Sequence, residues 1–311
     1  MPPIVSFLGR RLAWSVITLW FVVTLAFLMA YALPADPTKV LLGPHPSPQQ
    51  IAKLKKQLCL DRSLLAQYGC FVGRIARGDL GKSFNAKEPV AKIIAKRIGM
   101  TAKLAVSAVF LMVLIGVPLG VWAALRRNQM ADTAITTGGL LGMSTPTFFG
   151  GLLLLYVFGF QLGWFPIGYQ KGHELASLVL PAFTMAITGI AVYSRIVRGE
   201  MIEIMQEDYI RTAQAKGLSR RAVVVKHALR NALTPVVTMI GLDLGALLGG
   251  AIITEYLFQW PGLGREAVKS IITLDRPLIL GTVLVASAFI VVANLVVDVL
   301  YAALDPRVRL E

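Results

Sequence analysis

Three groups of residues in this chain are placed to do chemistry. The first is the run Asp208-Tyr-Ile-Arg-Thr-Ala-Gln-Ala-Lys-Gly217-Leu218. Asp208 can cap a helix start, its carboxylate accepting the free backbone N–H groups of the first turn. Gly217 can end the same helix, because a left-handed residue there needs no Cβ. Ala213 and Ala215 keep the helix thin, and Ser219 offers a second N-cap just beyond it. Such a helix between two apolar runs reads as a plug for a partner protein, or as an ordinary amphipathic loop helix. The second group is Asp243, an acid near the middle of an apolar run. At about 100° per residue it points roughly 160° from the centre of the stripe Gly241, Gly245 and Gly249. It either lines a polar path, where it meets cationic groups, or makes a structural hydrogen bond. The third is Cys59 and Cys70, which are either bridged or two unpaired thiols in a helical hairpin.

Other chemistries lack their residues. No full phosphate-binding loop, Gly-x-x-x-x-Gly-Lys-Ser/Thr, occurs, and no His-Glu-x-x-His, since His173-Glu174 runs on into Leu-Ala-Ser. No Gly-x-Ser-x-Gly is present. His45, His173 and His227 are too scattered for a metal site, and two cysteines give no zinc or iron–sulfur spacing. The expected catalytic, metal and cofactor sets of this chain are therefore empty.

The elements that must position these residues follow from composition. The chain is 56% hydrophobic and only 15% charged, whereas soluble domains carry about a quarter charged residues. Its net charge of +14 suggests nucleic acid at first. The basic residues, however, flank apolar runs and form no patch with stacking aromatics, so nucleic acid is not an expected partner. Six apolar runs reach bilayer length: 12–33, 104–125, 134–160, 177–197, 232–254 and 278–303. Arg10-Arg11 precede a run too long for a signal core, so no cleavable signal is expected.

Short loops set the orientation. With a cytoplasmic N-terminus, the inner ends hold Arg126, Arg127, Arg195, Arg198, Arg211, Lys216, Arg220, Arg221, Lys226 and Arg230, among others. The two short outer loops hold only Lys171, Arg265, Lys269 and Arg276. The long segment 34–103 then lies outside despite thirteen Lys/Arg against four acids, which long loops tolerate. Its spacing predicts a helix from Ser47-Pro48, an apolar face from Leu64 to Ile75, a turn at Gly78–Gly81, and a short helix over 89–97. Glycine pairs 116/120 and 138/142 allow close helix packing, and Pro118 and Pro146 predict kinks. The expected domains are 1–33, a helical loop 34–103, and a five-helix core 104–311 with a cytoplasmic loop at 199–231. The fold class is an all-α polytopic membrane protein.

At this point the motifs match a family. Tyr209-Ile-Arg-Thr-Ala-Gln-Ala-Lys-Gly217, Gly78-Asp-Leu-Gly-Lys-Ser-Phe84, Trp260-Pro-Gly-Leu-Gly264 and Asp298-Val-Leu-Tyr-Ala-Ala-Leu-Asp-Pro-Arg-Val-Arg309 occur together. Over essentially its whole length the chain resembles the inner-membrane permease subunits of ATP-binding-cassette importers for peptides and nickel, in the B-type dipeptide/oligopeptide branch. The resemblance implies the type I importer permease fold, with six transmembrane helices. It implies that Asp208, Tyr209, Arg211, Ala213, Ala215, Lys216 and Gly217 belong to a loop that docks a coupling helix into an ATPase. Thr212 stands where the broad family has Glu, and Pro235 is separated from Leu233 by Thr234, which leaves the polar contacts of docking open.

Partners also follow from the resemblance: a second permease subunit, two ATPase subunits that carry ATP and Mg, an extracytoplasmic solute-binding protein, and the membrane. The expected function is passage of peptides, or alternatively of nickel chelates or another small solute, through the bacterial inner membrane. In that frame Asp243 is a candidate lining of the path. A secondary transporter would favour repeated broken helices and more membrane ionisable residues, and no convincing repeat is present. An intramembrane enzyme would need paired groups. Asp243 and Asp298 lie on different spans with no histidine near either in sequence.

Overall fold

A segment inside a bilayer must satisfy every backbone N–H and C=O within itself, so apolar runs of this length fold as helices. The computed structural model describes residues 3–32, 47–57, 59–249 and 251–304, and the regular structure among them is helical. In chain order the main helices are α1 (Pro3–Ala32), α2 (Pro48–Gln57), α3 (Leu64–Ala76), α4 (Val90–Leu125), α5 (Met130–Ser144), α6 (Thr147–Leu154), α7 (Glu174–Ile204), α8 (Asp208–Ala215), α9 (Thr234–Leu248), α10 (Leu263–Ile272) and α11 (Arg276–Leu304). Residues 33–46 and 305–311, which hold part of the expected outer loop and the end of the C-terminal motif, lie outside the described residues, as does the side chain of Asp298.

Four helices are long and apolar enough to cross a membrane, through Gly9–Met29 in α1, all of α4 and α7, and Arg276–Val296 in α11. Among the described residues, two bent pairs raise the number to six if each pair makes one span. One joins Met130–Ser144 to Thr147–Gln161 with a bend of 104°, and the other joins Arg220–Ala232 to Thr234–Leu248 with a bend of 46°. The expected single run 134–160 is therefore broken. Pro146 has no N–H and pushes its predecessor out of the helical region, and Thr145 is extended, with φ −82° and ψ 121°. Pro118 instead lies inside α4, which continues through it. The separate helix expected over 89–97 is also corrected. Val90–Arg97 form the first turns of α4, which runs on through Gly99 into the span without a break.

The described residues cluster into two compact units. One holds residues up to Thr101 with Leu248–Ile252 and the chain from Pro261 onward; the other holds Ala102–Leu247 and Ile253–Trp260. In this division the C-terminal part of the chain groups with the N-terminal part.

In the first unit α1 runs along α11, and α3 rests on α1. Thr24 and Tyr68 share a hydrogen bond of 2.6 Å, and Phe27 meets the rings of Tyr68 and Phe71 at 5.3 and 5.5 Å. Ser47 and Gln50 cap α2 reciprocally, at 3.3 and 3.0 Å. The turn at Gly78–Gly81 closes on Asp79, whose carboxylate accepts from the Gly81 N–H at 2.9 Å and from Arg74 at 3.1 Å. The Gly81 bond, aided by Arg74 and opposed by desolvation, holds the Asp79 carboxyl below its ordinary range. Val90, Ile93, Ile94, Leu263 and Leu278 form a small core, and Arg97 pairs with Glu266 at 2.9 Å.

In the second unit α5 and α6 pack on α7. The part of α4 beyond Thr101 meets α7 backbone to backbone. A Cβ at Gly116 would stand 2.9 Å from the Tyr193 Cβ, and one at Gly120 would collide with the Ser194 carbonyl and with Val197. The expected close approach at 116/120 is thus real. On α5 the glycines near α7 are 139 and 142, against Ala191 and Ile187, while nothing lies within 4 Å of a Cβ at 138. The pair 138/142 is corrected to 139/142, because residues three apart share a helix face as well as residues four apart.

Candidate coupling site

The polar run after α7 folds as expected in outline and differs at its start. Asp208 is not the cap. It is the first residue of α8, and Glu207 holds the cap position with extended φ −68° and ψ 148°. The Glu207 carbonyl already accepts from Ile210 at 3.1 Å and Arg211 at 3.3 Å, so the helix begins one residue earlier than the sequence suggested. Asp208 still contributes negative charge at the positive end of the helix dipole, and its carboxylate lies 3.4 Å from Arg211.

The C-terminal end closes as a Schellman turn. The Gly217 N–H donates to the Gln214 carbonyl at 2.9 Å, and the Leu218 N–H reaches back to Ala213 at 3.4 Å. This geometry needs a left-handed residue, and Gly217 has φ +80°. Ser219 then caps the next helical turn, accepting from the Ala222 N–H at 3.3 Å. A π-helical turn over Val223–Ala228 follows, and Leu229–Ala232 leads into α9.

One side of α8 faces its own chain. Ile210 is fully buried and Ala213 is 6% exposed, and the helix rests on the π-helical turn. The other side, with Asp208, Tyr209, Arg211, Ala215, Lys216 and Gly217, is exposed. The two alanines therefore differ. Ala213 seats the helix, and Ala215 stands on the open face. Tyr209 adds a tether that no local spacing marks: its hydroxyl accepts from the Asn231 side-chain amide at 2.8 Å, twenty-two residues on.

The remaining predicted residues sit elsewhere. Asp243, in α9, accepts a hydrogen bond from the Tyr193 hydroxyl at 2.8 Å. Cys59 and Cys70 are joined by a disulfide, with Cα atoms 6.7 Å apart, linking the end of α2 to α3. Two charged clusters escaped the sequence reading. Asp132 of α5 takes a two-pronged ion pair from Arg198 of α7, at 2.5 and 2.8 Å, plus the Asn128 N–H at 2.9 Å. Asp275, 1% exposed, gathers the Ser83 hydroxyl at 2.5 Å, the N–H groups of Phe84 and Asn85 at 3.1 Å each, and the Leu278 N–H at 3.3 Å. Partners 66 and about 190 residues apart leave no local spacing to read.

Residues 116–310 match the family "Binding-protein-dependent transport system inner membrane component", and residues 4–105 match its N-terminal membrane component. The chain belongs to this family. It is 40% identical over 305 residues to the glutathione transport system permease protein GsiC of Escherichia coli K12, covering 98% of this chain and 99% of that protein. The GsiC protein of Salmonella typhi matches with the same identity and coverage. Among solved structures, the inward-facing MetNI methionine ABC transporter aligns with a TM-score of 0.52 at 18% identity, over 68% of this chain and 96% of that one. That likeness concerns the fold, and it agrees with a type I permease built around these helices.

The protein is thus an inner-membrane, multi-pass permease of a binding-protein-dependent ABC importer. Such a permease works with ATPase subunits and a solute-binding protein.

Proposed function

We propose that this permease passes peptides through the inner membrane, forming half of a path completed by a second, similar permease subunit. Two ATPase subunits bind the cytoplasmic side, and ATP, Mg and hydrolysis belong to them. In this reading the chain itself is no enzyme and binds no cofactor. The open face of α8 docks into the ATPase through Tyr209, Arg211, Ala215 and Lys216, with Asp208 and Gly217 setting its two ends and Ala213 seating it. Both termini are cytoplasmic, and α2 and α3 lie outside, where the solute-binding protein arrives.

The observation that carries this reading is the construction of α8: a short helix closed at its end, anchored on one side and open on the other. Its likeness over the whole chain to permeases named for glutathione, a tripeptide, supports the peptide class. Physically, closure of an ATPase dimer around ATP would move α8, and the Tyr209–Asn231 bond passes that movement toward α9.

The test is uptake of labelled di- and tripeptides into proteoliposomes holding the full complex, with loaded binding protein outside and ATP inside. ATP-dependent accumulation is expected. Accumulation of a nickel chelate without any peptide uptake would replace the substrate class, and uptake without ATPases would remove the coupling role of α8.

A further inference from the structure

We propose that Asp243 and Tyr193 form a cation subsite on the translocation path, in which Tyr193 holds one carboxylate oxygen and the other receives an ammonium group of the passing solute. The inference rests on the importer reading above and adds the chemistry of the site.

Ionisable groups in membrane helices are rare, and they face a partner, water or a transport path. Asp243 has only part of a partner. The Tyr193 hydroxyl donates to Oδ2 at 2.8 Å. Among the described residues Oδ1 accepts no hydrogen bond, and no Lys, Arg or His pairs with the carboxylate. A carboxylate offers about four acceptor positions over its two oxygens, and a hydroxyl uses one. A purely structural bond would need no more than that; it would also favour burial of the whole group, yet Asp243 is only half-buried.

Tyr193 is the rigid member. It is fully buried on α7, and its Cβ lies where a side chain at Gly116 would stand, 2.9 Å away. Close packing of α4 against α7 therefore fixes the donor and, through it, the carboxylate. Neighbouring Gly245 is buried, whereas Asp243, about 160° around the helix from it, is only half-buried and keeps an open side. An ammonium carries three donors and no acceptor, which suits the free oxygen. The fit is to solutes bearing a cationic amine, such as lysyl peptides. Tyr193 does not touch the solute in this scheme; it is a positioning residue.

The experiment uses the assembled complex in proteoliposomes and two peptides that differ only in charge, one with lysine and one with norleucine. Uptake of each is divided by its occupancy of the binding protein. The lysyl-to-norleucyl ratio is expected to fall at least about tenfold in Asp243→Asn, the scale of a charge pair in a partly wet site. Tyr193→Phe should lower the same ratio by less, about two- to fivefold, because the carboxylate keeps its charge and loses its orientation. Asp243→Glu should retain most of it. An unchanged ratio in both Asp243→Asn and Tyr193→Phe, with uptake intact, overturns the subsite. Loss of assembly in both variants overturns it in favour of a structural bond. A wild-type complex that moves neither peptide under ATP overturns the peptide-import reading beneath it, and the subsite falls as well.

Discussion

Gly217 is the residue whose identity the backbone dictates most directly. Its φ of +80° is required by the turn that returns the Leu218 N–H to Ala213, and nothing lies within 4 Å of an added Cβ. Substitution is therefore a question of backbone strain and not of space. A β-branched residue resists this region, at a cost on the order of 1–2 kcal/mol. Gly217→Val should insert and assemble normally but misplace the open face of α8. The expected result is ATPase activity that no longer responds to loaded binding protein, with uptake reduced several-fold; normal stimulation and uptake would refute it. Gly217 was legible in the sequence because a glycine after a polar helix has one main local use. Asp208 was misread because Glu207 beside it competes for the cap, and two adjacent acids cannot be ranked without the register. The cysteines offer a simpler measurement. Intact-mass labelling should find Cys59 and Cys70 blocked until reductant is added, and full labelling without reductant would exclude the bond in the membrane protein.

At the scale of elements, two contacts join pieces that the sequence keeps apart. The Asn231–Tyr209 bond ties α8 to the segment entering α9. Asn231→Ala removes about 1 kcal/mol of hydrogen bonding at a partly exposed site, too little to unfold the protein. It should raise the ATP consumed per peptide while leaving subunit assembly unchanged, and an unchanged ratio would show that α8 is held by Ile210 and Ala213 alone. The Asp275 cluster is the heavier contact. It binds the loop Ser83–Asn85 and also caps the start of α11 through the Leu278 N–H. Asp275→Ala leaves several buried donors unpaired at about 1–3 kcal/mol each. We expect a clearly lowered unfolding temperature and new protease cleavage near residues 78–89, and Asp275→Asn should recover part of both. An unaltered cleavage pattern would deny the loop its dependence on Asp275. The sequence showed the motif through Ser83 and Phe84, but not its anchor. Periodicity reports on neighbours within a helix, while this contact is made across the fold between polar residues in two loops.

At the scale of the whole molecule, hydropathy located the spans well, because segments in lipid must bury their own backbone and so must be long and apolar. It could not find the 104° bend at Thr145–Pro146 as a bend of that size. Proline marks where a helix is weakened, but its neighbours decide how far it turns, and Pro118 remains inside a continuous α4. The pairing of the N- and C-terminal parts in one compact unit was also illegible, since no local pattern records which distant helices meet. Orientation rests on charge instead of packing. In the proposed orientation the loop through Arg211, Lys216, Arg220 and Arg221, basic and short, lies in the cytoplasm, as the positive-inside rule favours. The segment before α4 is also basic, with thirteen Lys/Arg against four acids over 34–103, but it is long enough to cross regardless of charge. Its disulfide agrees with that side, because disulfides persist outside the reducing cytoplasm. Ser219 and Ser47 are both exposed, so each can report its compartment directly. After replacement by cysteine in a background lacking Cys59 and Cys70, a membrane-impermeant maleimide should reach Ser219→Cys only from the cytoplasmic face and Ser47→Cys only from the opposite face. Both faces are sampled by labelling intact cells and inverted vesicles in parallel. The reversed pattern would put α8 on the side without ATP and remove its role in docking an ATPase.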